Sequence, residues 1–437
     1  MTAPGLARPG AARLHAHGKI DRVGTDVPAF EPYRMNVVSR AAGALLALAL
    51  TLPAGAADEP APPARCLAPS HDRAADHACA VGLARQAETE RGAAHNAAAL
   101  DALARADQFA PEDLRFAMAH AGLALKVANQ LTPAGIEAAA AATPDDIGLA
   151  MMRAELAIAK KDFATALATI DRVLAKRPEA LLAWEMRASA NVARPDFDAA
   201  RRDAEQALRL ESKSPVALRL RAVLRNNIGD HAGALADFEA AHTLAPRPDD
   251  PFVIGSTQFL QRQFGAAADT LARRPPAAPD GTYWRLWRYL ALARVGGVER
   301  ASGSLGPGTA PGTTAPWPGP VVDYFHGSID SAALLAEAKK AQDTQNLSQV
   351  CEAHFYLAED SLLHRRGDAV ALLRQAVQEC PQNFHEYEGA MAELRAAGVP
   401  AAAPGPTLAA AAAASASAPA SAAPAPAAAQ AASTVRR

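Results

Sequence analysis

Aromatic side chains are scarce in this chain, at 5% of its 437 residues, although half of all residues are apolar. The apolar excess is mainly alanine, which has the highest helix propensity and lets helices pack closely. That composition argues against β-sheet, whose strands favour branched and aromatic residues. Net charge is also small. Lys+Arg of 44 against Asp+Glu of 46 gives a formal charge of -2, so no global positive field exists to attract a phosphate backbone, and nucleic acid is not an expected partner.

The familiar signatures of catalysis are missing as well. The glycines of 296–312 alternate with serine and proline and are not followed by the lysine of a phosphate loop. His385-Glu386-Tyr387-Glu388 lacks the second histidine that a zinc peptidase needs one helical turn away. No Gly-x-Ser-x-Gly elbow follows a strand. His71, His77 and Cys79 lie close together, but their spacing matches no zinc pattern. No cofactor, metal or catalytic residue is therefore expected. The competing enzyme reading would draw on Asp323, His326 and Glu352 around the inserted region.

What the sequence does carry at its amino end reads as an export signal. From Met35, Arg40 supplies positive charge, Ala41 to Leu52 is an apolar run, and Ala54-Gly55-Ala56 offers small residues for cleavage. The run is shorter than the roughly 20 residues of a membrane span and is closed by Pro53. The expected division is an upstream extension over 1–34, untranslated or without fixed structure, a signal peptide over 35–57, and a periplasmic or secreted mature protein. Cys66 follows Pro63-Ala64-Arg65, so it does not meet the requirement for a lipid-bearing cysteine.

A second positive feature is a repeat with a period of 34 residues. Asp162, Asp196 and Asp230 stand in register, each followed by Phe163, Phe197 or His231. Ala166, Ala200 and Ala234 recur with them, as do Ile170, Ala204 and Phe238, then Val173, Ala207 and Ala241, then Pro178, Ser212 and Pro246. The period, and the order of small, aromatic, small and proline positions, resembles the tetratricopeptide repeat, whose two antiparallel helices need a small residue where they cross. Trp184 and Ala188 fit the large and small positions of the first helix.

Repeats are read over 147–180, 181–214 and 215–248, within an array spanning 113–295. Pro144 marks a degenerate unit before them, and 58–112 is a linker with a further helical segment. Phe252, Phe264, Ala267 and Leu271 give a following unit, and Tyr283 to Val295 the first helix of the next. A stretch rich in Gly, Pro, Ser and Thr at 296–316 is expected to lack helix. Helical periodicity resumes over Ser331 to Gln342 and Leu347 to His364, and Ala369, Leu373, Ala376 and Pro381 close a final repeat. After Gly398 an Ala/Pro/Ser/Thr tail, 399–437, has too little variety to bury a core and is expected to be disordered. The fold class is thus an all-α tetratricopeptide-repeat superhelix, an α-solenoid with disordered termini.

Within 317–398, the run from Trp317 to Gly327 (WPGPVVDYFHG), then Phe355-Tyr356-Leu357-Ala358 and Asn383-Phe384, resembles the closing part of NlpI-like envelope adaptors. The likeness implies an adaptor that binds other envelope proteins, presents substrates to a periplasmic protease and forms a homodimer. A self-associating structural solenoid is the alternative from a different class. The chain departs from the family pattern in the missing lipid-bearing cysteine, the 296–316 insertion and the tail.

Four cysteines allow three pairings. In the last repeat Cys351 opens one helix and Cys380 ends the next, and antiparallel helices bring those ends together, so Cys351–Cys380 and Cys66–Cys79 are the expected bridges. The second, fifth, ninth, twelfth and thirteenth positions of each first helix are expected to face a guest chain. These are Met151, Glu155, Glu185, Ser189, Arg219, Asn226, Asn227, Thr257 and Gln261. The lysine and asparagine clamp that holds a peptide carboxylate in some relatives is absent from these positions. The aromatic cluster Tyr283, Trp284, Trp287 and Tyr289 reads as packing between helices.

Overall fold

A computed structural model describes residues 66, 68–70, 72–273, 281–309, 315–340 and 344–400, without the side chains of 344–347. The expected extension, signal peptide and tail lie outside the described residues. Among those described, the chain is helical and contains no strand. The fold is an all-α solenoid of stacked helical hairpins.

The first hairpin is α1 (Arg73–Gly92) with α2 (Asn96–Phe109), and the second is α3 (Leu114–Val127) with α4 (Pro133–Ala142). Then come α5 (Ile147–Ala159) and α6 (Phe163–Lys176), α7 (Leu181–Ala193) and α8 (Phe197–Leu210), and α9 (Pro215–Ile228) and α10 (His231–Leu244). Their first helices start at 147, 181 and 215, which is the 34-residue step seen in the sequence.

The recurring aspartates have one job. Asp162, Asp196 and Asp230 are the N-caps of α6, α8 and α10, and each carboxylate accepts a backbone N–H in the first turn, from Thr165, Ala199 and Gly233. A carboxylate there satisfies an orphan donor and meets the positive end of the helix dipole. One turn on, Ala166, Ala200 and Ala234 are fully buried, where any larger side chain would push the two helices apart. Gly148 plays the same part between α3 and α5, since a Cβ there would collide with the carbonyl of Ala117.

The array continues through α11 (Asp250–Leu260), α12 (Phe264–Leu271) and α13 (Gly281–Gly296). The stretch expected to lack helix begins with α14 (Val298–Ala301) and a 3-10 turn, Ser302–Ser304. Ala301 and Leu305 are fully buried there, and burying them against the array gives this segment a reason to coil that its glycine and proline content conceals. Then follow α15 (Gly319–Phe325), α16 (Ser331–Ala338), α17 (Thr344–Leu363), α18 (Ala369–Glu379) and α19 (His385–Ala396).

Cys66 is bonded to Cys79, with Cα atoms 5.6 Å apart, which ties the segment before α1 to that helix. Cys351 is bonded to Cys380 with Cα atoms 5.0 Å apart, joining α17 to the residue that ends α18. Cys351 sits inside α17 and not at its start, because that helix begins at Thr344. No described helix is long and apolar enough to cross a membrane.

Candidate functional site

In the carboxyl half, first helices of the array are covered by the last helix of the chain. Helix α19 lies across α11, α13 and α17. His385 packs edge-on against Phe252 of α11 and Trp287 of α13, at ring-centroid distances of 5.1 and 6.2 Å. One turn later Gly389 has no side chain, and a Cβ there would press on the Phe355 ring of α17 and reach Trp287. One turn further, Glu393 receives Arg262 at 3.2 Å and Arg294 at 3.1 Å. These residues are spaced i, i+4 and i+8, so one stripe of α19 meets three helices.

Around that contact lies a buried network. Tyr283 and the indole of Trp317 donate to Glu352 at 2.6 and 2.7 Å, Tyr356 donates to Glu386 at 3.0 Å, and Arg294 donates to Glu359 at 2.7 Å. Burial and the neighbouring Glu386 push Glu352 far above the ordinary carboxylate range. Trp284, Trp287 and Tyr289 are buried within this part of the core. Asp323 and His326 are elsewhere. Asp323 accepts from the backbone N–H of Thr309 at 2.7 Å, and the His326 ring lies 2.9 Å from the Gly306 carbonyl. The structure brings those two to one loop and leaves Glu352 in the interior. Among the described residues no group of His, Cys, Asp and Glu could hold a metal ion, and His77 faces Asp113 while Cys79 is in a disulfide.

The nine residues placed on the inner face from sequence separate into two groups. Arg219 reaches out of α9 to Asp250 at 2.8 Å and to the carbonyl of Ala245, and both members of the ion pair are buried. Asn226 donates to Thr257 at 2.9 Å, and Thr257 donates to the Val253 carbonyl. Gln261 donates to the His231 carbonyl, and Asn227 to that of Val223. Arg219, Asn226, Thr257 and Gln261 zip neighbouring repeats together, while Asn227 bonds within its own helix. Met151 is wholly buried in the core.

Glu155, Glu185 and Ser189 differ, because all three line a cleft of about 990 Å³ in the amino half. Its walls come from α1, the start of α3, α5, α7, the turn from α8 into α9, and Arg247 after α10. Apolar surface dominates, supplied by Leu114, Ile158, Leu181, Leu182, Met186 and Val216. Two carboxylates sit on that surface, Glu155 at 4% and Glu185 at 7% exposure. The Ser214 hydroxyl donates to Oε1 of Glu185. Burial pushes the Glu185 carboxyl up to about 7, against the opposing effects of the Ser214 bond, Arg115 and Arg247.

Arg73, Glu112, Asp113, Arg115 and Glu179 are held by neighbours. Burial alone would raise Asp113, but hydrogen bonds from Arg115 and His77 outweigh it and leave that carboxyl far below the usual range. Arg73 lies 3.4 Å from both Glu112 and Glu179. Burial and the nearby Arg219 lower the Arg247 guanidinium from its ordinary value. Chemically, the cleft has oily walls with a carboxylate that pays a desolvation cost while it lacks a counter-ion. Sequence periodicity reached Glu155, Glu185 and Ser189 but not Asp113 and Arg115, at the start of α3, or Arg247, after α10.

No protein-family model matches the chain, and no curated protein matches it. Among solved structures it is similar to a tetratricopeptide repeat protein from Parabacteroides merdae, at 16% identity and TM-score 0.34 over 52% of this chain and 90% of that one. It is also similar to the P58(IPK) TPR domain, at 14% identity and TM-score 0.22 over 73% of this chain and 99% of that one. Likenesses this distant carry no argument here. The repeat architecture rests on the 34-residue register of caps and crossing alanines.

Proposed function

We propose that this chain is an exported scaffold that holds a segment of another envelope protein in the cleft between α1 and α9. One observation carries the reading. Successive first helices present a continuous apolar recess of about 990 Å³, open where the equivalent wall further along is filled by the chain's own helix α19. A hairpin array cannot bury its apolar faces within one unit, so stacking generates an extended surface as well as a core. Helix α19 supports the reading further as an internal example of a segment seated on that surface.

Export is supported by the apolar run Ala41 to Leu52 with its small-residue site, and by two disulfides, which belong in an oxidising compartment. The resemblance of 317–395 to NlpI-like adaptors supports the narrower role of delivering the bound segment to a periplasmic protease. Photo-crosslinking tests the site. A crosslinker at Ser189 should trap a discrete envelope protein, one at exposed Lys161 should not, and Leu182→Glu should abolish the Ser189 adduct. Equal adducts from both positions would place partner binding elsewhere.

A further inference from the structure

We infer that the cleft selects segments carrying a lysine or arginine between apolar side chains, with the cation seated on Glu185 and its neighbours on Leu182, Ile158 and Met186. The inference rests on the reading of this cleft as a partner site.

Charge across the lining is unbalanced. Six carboxylates, from Glu112, Asp113, Glu155, Glu179, Glu185 and Glu211, face four basic side chains, from Arg73, Arg115, Lys213 and Arg247. Arg73 is shared by Glu112 and Glu179, and Arg115 is committed to Asp113, which leaves a deficit of positive charge on the inner surface.

Glu185 carries part of that deficit at the recess itself. Its side chain is more than nine-tenths buried and lines the recess, yet it holds one hydrogen bond, from Ser214 to Oε1, and Oε2 accepts none among the described residues. Neither Arg115 nor Arg247 makes an ion pair with it, and Lys213, Glu211, His77 and Glu155 are the other ionisable groups around the same space. A carboxylate in a low-dielectric recess gains most from a cation that arrives with it out of water. Lysine and arginine can do this because their long apolar stems lie along the aliphatic wall while the head reaches the acid. The occupied half of the wall offers an internal precedent of opposite sign. There the resident helix brings a carboxylate, Glu393, to cations on the wall, Arg262 and Arg294.

The test is selection from a phage-displayed library of random dodecapeptides on the immobilised full chain at pH 8. Enriched sequences should carry Lys or Arg flanked by Leu, Ile, Val or Met. A resynthesised binder with norleucine in place of its lysine should bind at least about tenfold more weakly to the wild type, and less than about threefold more weakly to Glu185→Gln. If Glu185→Gln does not fold, the lysine-to-norleucine ratio measured on the wild type at pH 6 and pH 8 replaces it, and must grow toward pH 8 as Glu185 ionises. Binders that Leu182→Glu abolishes but that show no basic preference, or that are acidic, overturn the cation seat and leave the partner site standing. An absence of binders, or binders indifferent to Leu182→Glu, overturns both.

Discussion

Glu185→Gln is the substitution whose effect the structure specifies most fully. Burial raises the folded-state carboxyl from 4.5 to about 7, so the native chain holds a proton on it more tightly than the unfolded chain does. For a group shifted in that direction, stability is fully present below about pH 4.5 and is lost as pH rises through about 7. A rise of that size corresponds to about 3 kcal/mol, most of it lost between pH 5 and 8. The glutamine amide keeps the shape and the Ser214 contact but cannot ionise. Glu185→Gln should therefore match the wild type within about 1 kcal/mol at pH 5 and exceed it by about 3 kcal/mol at pH 8. Thermal melts followed by circular dichroism would register this as a gap between the two proteins that widens by on the order of 3–5 °C from pH 5 to pH 8. Taking the difference between proteins removes other groups with the same behaviour, such as Glu359, which burial also pushes up to about 7. A gap of equal size at both pH values would refute the claim that Glu185 is an acid made costly by burial.

Three further outcomes follow from other parts of the fold. Arg219→Ala leaves the buried Asp250 carboxylate with only the His242 ring and the Arg247 backbone N–H, which should cost about 2–4 kcal/mol in urea unfolding. Replacing Cys351 and Cys380 with alanine frees a loop closed at a separation of 29 residues, and the chain-entropy relation puts the loss at about 3–4 kcal/mol, read as a lower urea midpoint that the wild type reproduces in reductant. Asp196→Ala removes the first-turn acceptor of α8 and should cost about 1 kcal/mol, whereas Asp196→Asn should cost much less; equal losses would show that the cap is not the source.

The hairpin array was legible because its markers are local. A capping aspartate and a crossing alanine are demanded by every unit, so Asp196 and Ala200 recur at the same step as Asp162 and Ala166. Local markers cannot show what a distant segment covers. Helix α19 begins His385-Glu386-Tyr387-Glu388, a pattern as suited to solvent as to a core, yet all four are buried, and His385 packs on Phe252 and Trp287, more than one repeat away. Spacing also says which side of a helix faces inward without saying whether that side is free. Arg219 and Thr257 share the inner face with Glu185, but they have partners in adjacent repeats, Asp250 and Asn226, whereas Oε2 of Glu185 has none among the described residues. Arg115, at the start of α3, and Arg247, in the turn after α10, were not among the inner-face positions, and only folding brings them to one recess.

One scaffold thus carries two seats of opposite charge, and the reason lies in which positions the repeat leaves unconstrained. The crossing alanines and capping aspartates are fixed by hairpin geometry, so they cannot vary to suit a ligand. Inner-face positions have no such duty. At the fifth position of successive first helices the chain places Glu185 and then Arg219, an acid and a base one repeat apart. The base is neutralised within the array by Asp250 and draws two repeats together. The acid has no equivalent partner, only the Ser214 hydroxyl on Oε1. A desolvated, weakly satisfied carboxylate lowers the stability of the free protein at neutral pH, a cost that binding a cation would reverse. Keeping such a group where Arg219, its equivalent one repeat on, is paired is what a surface built for an external cation requires, and it is why removing the acid should stabilise the chain while weakening its hold on a basic segment.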